Sequence, residues 1–323
     1  MPQETKNMTC MQKNMEKNAL PYNDFGSWIR RQFPFRVQKI SIDAGFSCPN
    51  RDGSISTGGC SFCDNETFNP SYCHRHHSIG QQLEEGKAFF AHKYPDMKYL
   101  AYFQAFTNTY APLADLQRMY EEALEQTDVV GIVIGTRPDC ISTQLLNYLE
   151  GLARQTFVMV EYGIESANDL TLKRINRGHD FYCSRRAVEQ TAERGILTGG
   201  HVIVGLPGED HDEIIRQARL VSSLPLTVLK LHQLQIIRGT RLAREYEENP
   251  FPVFTVDEYI RTVCDYVERL RPDLVLERFV SQSPAHMLVA PRWGLKNHEF
   301  ADRLVGYMRK HGIKQGALWK ENL

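Results

Sequence analysis

The chain has 323 residues, enough to bury one large α/β core or two smaller ones, and its 42% hydrophobic and 24% charged content is ordinary for a globular protein. A formal net charge of -1 excludes a generally polycationic nucleic-acid binder, while leaving room for a local basic face. No apolar run approaches the roughly 18 residues needed to cross a bilayer, and the polar start MPQETKNMTCMQKNMEKN lacks the apolar core of an export signal, so the expected location is the cytoplasm, without a membrane partner.

In chain order, residues 1–24 read as a polar tail. The stretch WIRRQFPFRVQK (28–39) mixes basic and aromatic residues and reads as a solvated face with core aromatics rather than a nucleic-acid contact. A β-branched run over 37–45 then predicts the first strand, followed by the glycine-rich stretch GFSCPNRDGSISTGGCSFCDN (45–65), which suits neither helix nor strand. From there amphipathic and apolar segments alternate. Helices are predicted over 78–94, 113–126, 142–155, 182–195 and 209–224, and strands over 98–106, 129–136, 157–166, 198–206 and 226–237. After the NPFP punctuation near 250 come a helix (255–271), a strand (274–282) and a closing helix (297–312). Six β-α units suit a partial barrel or a doubly wound parallel sheet, and periodicity does not choose between them. The expected organisation is a core domain over 25–270 and a small α/β C-terminal extension over 271–323, which would cover the open side and help shape a substrate pocket.

Eight cysteines in a long chain without an export signal are expected to stay reduced, for metal or redox chemistry. Cys48, Cys60 and Cys63 share the glycine-rich stretch, where thiolates can fold back onto one metal centre. A structural zinc site would need a fourth ligand, available from Cys73, His74, His76 or His77. Three cysteines on a four-iron cluster would instead leave one iron open for a small molecule to chelate. Cys10, Cys140, Cys183 and Cys264 stand alone and read as ordinary thiols.

The spacing C-x11-C-x2-C, with the aromatic Phe62 just before the last cysteine, resembles the cluster loop of radical S-adenosylmethionine (SAM) enzymes in an expanded form. YFQAFTNTYAP (102–112) is similar to their second-strand segment, GTRPDCIS (135–142) to a third-strand signature of the Elongator branch, VEYGIESANDLTLKRINRGHDF (160–181) to the fourth-strand segment, and GGHVIVGLPGED (199–210) to the fifth. Taken together these segments most resemble the YhcC/YtqA-like family. The resemblance implies a partial (β/α)6 TIM-type barrel with a 4Fe-4S cluster on Cys48, Cys60 and Cys63 and SAM as cofactor. It implies that Phe62 and Thr107 lie against SAM, Glu165 and His201 meet its ribose, Arg177 pairs with its carboxylate, and Gly205 lets the backbone approach the adenine. An electron donor such as flavodoxin or ferredoxin is implied as a partner.

The substrate is less plainly written. Relation to the Elongator catalytic subunit implies modification of the tRNA wobble uridine, with the basic segments GTRLA (239–243) and RKHGIK (309–314) as candidate contacts. Two other readings stand beside it: a radical SAM enzyme acting on a small metabolite or tetrapyrrole, and a non-catalytic metal-binding scaffold. No catalytic acid, base or hydrogen-atom relay is identified.

Overall fold

A computed structural model describes residues 19–91 and 96–321. Its strands are β1 (Val37–Ile42), β2 (Lys98–Phe103), β3 (Val129–Thr136), β4 (Phe157–Glu165), β5 (Leu197–Val204), β6 (Val228–Gln233), β7 (Ile236–Ile237), β8 (Val275–Arg278) and β9 (Leu288–Ala290). All but β7 and β9 form one parallel sheet in the order β1-β2-β3-β4-β5-β6-β8, and β7 pairs with β9 as a separate antiparallel ribbon. Between the strands run α1 (Phe25–Gln32), α2 (Ile79–Ala91), α3 (Leu113–Leu124), α4 (Thr143–Ala153), α5 (Asp169–Arg174), α6 (Phe181–Ala192), α7 (His211–Ser222), α8 (Arg241–Glu248), α9 (Val256–Val267) and α10 (Asn297–His311).

The sheet is rolled, and one ion pair demonstrates it. β1 and β8 are opposite edges of the sheet, yet Lys39 Nζ on β1 lies 2.7 Å from Glu277 Oε2 on β8. The edges share no backbone ladder, so the result is a partial barrel whose open seam is bridged by side chains.

Strand periodicity sorts the side chains into two faces. Ile40, Ile42, Phe103, Ile132, Ile134, Val160, Leu229 and Leu231 point outward into the main core beneath the helices. Those helices start where short polar side chains satisfy their free backbone N–H groups: Ser142 accepts from Leu145 N, Asp210 from Glu213 N, and Thr255 with Glu258 makes a capping box. Leu100, Val133, Met159, Val228 and Val275 point inward near the strand starts, where Trp28 and Ile29 of α1 pack against them. α1 therefore plugs the amino-terminal end of the barrel, and the basic-aromatic stretch at 28–39 contributes core aromatics there.

Above that apolar floor lies a charged layer. Glu161 on β4 is fully buried and meets Lys39 Nζ at 2.9 Å, Lys230 Nζ on β6 at 2.6 Å and His201 Nε2 on β5 at 3.0 Å. Burial alone would push its carboxyl up, but Lys230 and Lys39 hold it well below the ordinary carboxylate range. Burial pulls Lys230 down to about 8, against the pull of Glu161 and Glu277. The layer fits because β5 carries glycine opposite: a Cβ on Gly199 would come within 2.7 Å of Glu161 Cγ.

The main differences from the sequence reading lie at the ends. The run over 226–237 breaks after Gln233, so Ile236 and Ile237 leave the sheet and pair with β9. β8, from the C-terminal extension, is the seventh strand of the same sheet. Residues 1–18 of the polar tail, with Cys10, and residues 92–94 of one predicted helix lie outside the described residues. Residues 19–24 run beside β8 and the C-terminal segment, with Leu276 N donating to Asn23 O at 2.8 Å and Gln315 N to Pro21 O at 2.9 Å. Among the described residues no helix is long and apolar enough to cross a membrane.

Removing one partner of the charged layer should expose its energetics. Lys230→Met is expected to lower unfolding free energy by about 1.5–3 kcal/mol, because it removes one of the cations that hydrogen-bond a buried carboxylate, and Lys230→Met with Glu161→Gln by less. Chemical denaturation of the two variants checks this.

Candidate functional site

The glycine-rich loop leaves β1 at its carboxyl end, where parallel barrels carry their sites. It folds on itself through Arg51 N to Cys48 O (2.8 Å), Gly59 N to Asn50 O (2.8 Å) and Cys63 N to Cys60 O (3.1 Å). Two neighbours clamp it: Ser61 N donates to Ile175 O after α5, and Leu242 N of α8 donates to Ser61 O, both at 2.8 Å. Asn176 Nδ2 adds a bond to Gly59 O at 2.9 Å. This loop is therefore held by elements far along the chain.

Cys48, Cys60 and Cys63 line one cavity at the carboxyl end of the sheet. Burial pushes the Cys63 thiol up to about 12, with Cys60 adding to the effect and Arg51 opposing it. A thiol held up in this way becomes a thiolate against a strong positive centre, such as a metal cluster would supply. Cations and amides already face them: Arg177 Nη1 and Asn50 Nδ2 each stand 3.5 Å from Cys60 Sγ, and Arg51 Nη2 donates to Cys63 O at 2.7 Å.

The zinc alternative finds no support in the geometry. Cys73 is buried against Gln82 and His77 pairs with Glu85, with His74 and His76 on the surface of the same loop. Among the described residues no three His, Cys, Asp or Glu side chains gather as ligands of a single ion. A four-iron cluster takes each thiolate on a different iron and so needs its ligands spread around a cavity rather than converging on a point.

The same cavity is lined by Phe62, Thr107, Glu165, Arg177 and His201. Gly205 lies apart, in a recess beyond β5 where its φ is +93° and the Phe254 ring packs against it. Glu165 ends β4 at φ +66°, an uncommon conformation for a residue with a side chain, where the β4–β5 register shifts. Its Oε1 stands 3.7 Å from Arg177 Nη2, which also donates to Gly163 O at 2.5 Å. Burial raises the Glu165 carboxyl, while Arg177 and Arg137 pull it back. Arg137 braces this corner: it grips Asp139 at 2.9 and 2.7 Å and donates to Arg177 O at 2.8 Å. Arg137 Nη1 and Arg177 Nε, both buried on cavity-lining residues, have no hydrogen-bond partner.

His201 has a defined tautomer. The Glu161 carboxylate can only accept, so Nε2 carries the hydrogen and Nδ1 remains an acceptor. Burial first, then Lys230, keeps the ring's pKa down and the ring neutral.

This donor set fits the expected cofactor. A zwitterionic amino-acid end needs a cation and a carboxylate, a ribose needs acceptors, and a nucleobase needs apolar surface. Arg177, Glu165, His201 and the apolar Phe62, Phe106 and Ile203 supply these in one cavity beside three cysteines.

The sequence profile of the radical SAM superfamily matches residues 52–221, and that of the radical SAM C-terminal domain residues 226–310. The chain belongs to the radical SAM superfamily. YtqA of Bacillus subtilis (strain 168) is 34% identical over 313 residues, covering 95% of this chain and 97% of that protein. The tRNA uridine(34) acetyltransferase of Methanocaldococcus jannaschii is 24% identical over 206 residues, 62% of this chain and 36% of that protein. Among solved structures, the archaeal Methanocaldococcus infernus Elp3 superposes with a TM-score of 0.66 at 16% identity, covering 86% of this chain and 64% of that one. The rolled parallel sheet is thus the partial barrel of radical SAM enzymes, and this chain is such an enzyme.

Residues that sequence reading passed over complete the site: Lys39, Glu161, Lys230 and Glu277 below the cavity, Arg137 at its corner, and His232 and Arg278 on its far wall. Their signal is present in the sequence. Glu161 and Lys230 each interrupt an apolar run, in FVMVEYG and TVLKLHQ.

A Cβ at position 163 would come within 2.4 Å of Glu165 Oε1 and 2.7 Å of Arg177 Nη2. Gly163→Ala is therefore expected to displace that pair and weaken SAM binding by about tenfold, roughly 1.4 kcal/mol, with iron content per chain unchanged. Equilibrium dialysis of the reconstituted protein reads this, and unaltered affinity would remove Glu165 and Arg177 from the cofactor's contacts.

Proposed function

We propose that this radical SAM enzyme carries a 4Fe-4S cluster on Cys48, Cys60 and Cys63, binds SAM against Arg177, Glu165 and His201, and modifies a uridine in tRNA. When bound, the cluster and SAM supply one-electron cleavage of the sulfonium to a 5′-deoxyadenosyl radical, with a donor such as flavodoxin or ferredoxin providing the electron.

The chain's own residues have defined tasks around that chemistry. Arg177 presents a planar fork suited to a carboxylate, and its placement beside Cys60 puts that fork next to the cluster loop. His201 offers Nδ1 to a hydroxyl donor. Thr107, Phe62 and Phe106 wall the cavity, and the charged layer with α1 beneath it closes the floor against water.

The observation that carries the cofactor reading is the meeting of all three cysteines with Arg177, Glu165 and His201 in one cavity. Two features support tRNA. A polar recess adjoining Cys60 and Cys63 carries Arg51 and the exposed Arg241 and Arg244, with exposed Arg238 just before them, which suits phosphates at the cavity mouth. The named activity of the tRNA uridine(34) acetyltransferase relatives concerns the same class of substrate. The segment 309–314 takes no part in this rim: Arg309, Lys310 and His311 end α10, and Arg309 bonds to Ala19 O.

The test begins with anaerobic reconstitution, dithionite and SAM. 5′-Deoxyadenosine is expected from the wild type and none from Cys60→Ala. Bulk tRNA from cells lacking this gene is then supplied, and its nucleosides are compared by mass spectrometry. A changed uridine derivative, with binding that weakens steeply as salt rises, is the expected result. 5′-Deoxyadenosine without any nucleoside change or salt-sensitive tRNA binding would redirect the enzyme to a small metabolite or tetrapyrrole.

A further inference from the structure

The cavity has a second polar end, distinct from the corner held by Cys60, Glu165 and Arg177. Arg278, the last residue of β8, lines it half-buried. Among the described residues no carboxylate stands within ion-pair distance of its guanidinium: Glu277 is engaged by Lys39 at 2.7 Å and Lys230 at 3.4 Å, and Glu161 by Lys39, Lys230 and His201. This interior network therefore sets three cations, Lys39, Lys230 and Arg278, against two carboxylates, Glu161 and Glu277. One positive charge is left facing the cavity. A half-buried guanidinium that lines a cavity beside other cations favours an anion there.

A second group on the same wall is also incomplete. His232 on β6 lines the cavity with its Nδ1 hydrogen-bonded to the Ser281 hydroxyl, and its buried Nε2 has no partner among the described residues. Ser281 is itself fixed, its N–H donating to Gln233 Oε1 at 2.7 Å and its carbonyl accepting from Gln233 Nε2 at 2.9 Å. The ring is thus oriented, and with the Ser281 hydroxyl donating to Nδ1 its Nε2–H is free to donate.

We propose that Arg278, with His232 Nε2 beside it, forms an oxyanion subsite that receives a carboxylate or phosphate group carried by the substrate. The planar fork of Arg278 would take two oxygens and His232 would add a neutral donor. The subsite is separate from Arg177, which follows β4 and faces Cys60 and Glu165, whereas Arg278 ends β8 and neighbours His232 and Lys230 of β6. The cofactor's carboxylate and the substrate's oxyanion are thereby kept at different ends of one cavity. The inference rests on the reading of this cavity as the place where substrate meets cofactor.

The test uses the reconstituted full chain without reductant or tRNA, so its result is independent of SAM cleavage and of tRNA turnover. Thermal unfolding is recorded in sodium acetate, sodium phosphate and sodium chloride at matched ionic strength and neutral pH. Acetate, phosphate or both should raise Tm over chloride by roughly 2 °C. Arg278→Gln should abolish that rise, and Arg177→Gln should keep it. A response to acetate alone assigns the subsite to a carboxylate, and a response to phosphate alone to a phosphate. A parallel measurement needs no variant: phenylglyoxal labelling of Arg278, followed by peptide mass spectrometry, should slow at least about threefold when the effective anion is added. Equal Tm in all three salts, an undiminished response in Arg278→Gln, or labelling indifferent to anions would overturn the proposal.

Discussion

A single fully buried carboxylate organises this molecule. Glu161 receives Lys39 from β1, Lys230 from β6 and His201 from β5, and those lysines carry the linkage on to Glu277 of β8. A rolled sheet whose edges do not pair needs something to hold its seam, and here charges hold it instead of a backbone ladder. A lone carboxylate at that depth would be strongly unfavourable, so the pairing also requires that every contributing strand be in register. Gly199 shows how narrow the tolerance is, since only an absent side chain opposite Glu161 leaves room for it.

The same layer prepares the cavity above it. By engaging His201 through Nε2, Glu161 decides which ring nitrogen is left for other partners in the cavity. By occupying Lys39 and Lys230, the two carboxylates leave Arg278 with no anion of its own. Floor, seam and site chemistry are consequently one network. The glycine-rich loop is added to this frame from outside, gripped by the segments around Ile175 and Leu242 as well as by its own internal bonds.

The sequence made the strands and the cluster loop legible for different reasons. The outward faces of β1 to β6 alternate with long amphipathic helices, and that rhythm is strong enough to locate all six. Cys48, Cys60 and Cys63 stand out by their spacing in a glycine-rich stretch, and Glu165, Arg177 and His201 because their segments resemble radical SAM motifs. α1 and α8 were not legible as helices, since both are short, α8 is densely charged and α1 carries the aromatics that a plug requires. The interior network was missed for a deeper reason: a lysine or glutamate within a strand acquires meaning only once the roll of the sheet brings β1 within reach of β8. Gly205, marked by its motif, is placed by the structure against Phe254, a residue of the chain's later third that no local pattern could supply.

The matched profiles part between residues 221 and 226, and the sheet does not. β6 and β8 belong to the second profile, yet Lys230 neutralises Glu161 of the first and Glu277 pairs with Lys39, which precedes both. Specificity in such a protein cannot be exchanged as a detachable module. A C-terminal half grafted from a relative would bring its own far wall to the cavity, but it would join productively only if it also restored electroneutrality around Glu161 and Lys39. Divergence of the cavity's far wall is thereby yoked to Glu161 and Lys39 across the sheet, and recombination among relatives should respect that coupling more strictly than overall identity suggests.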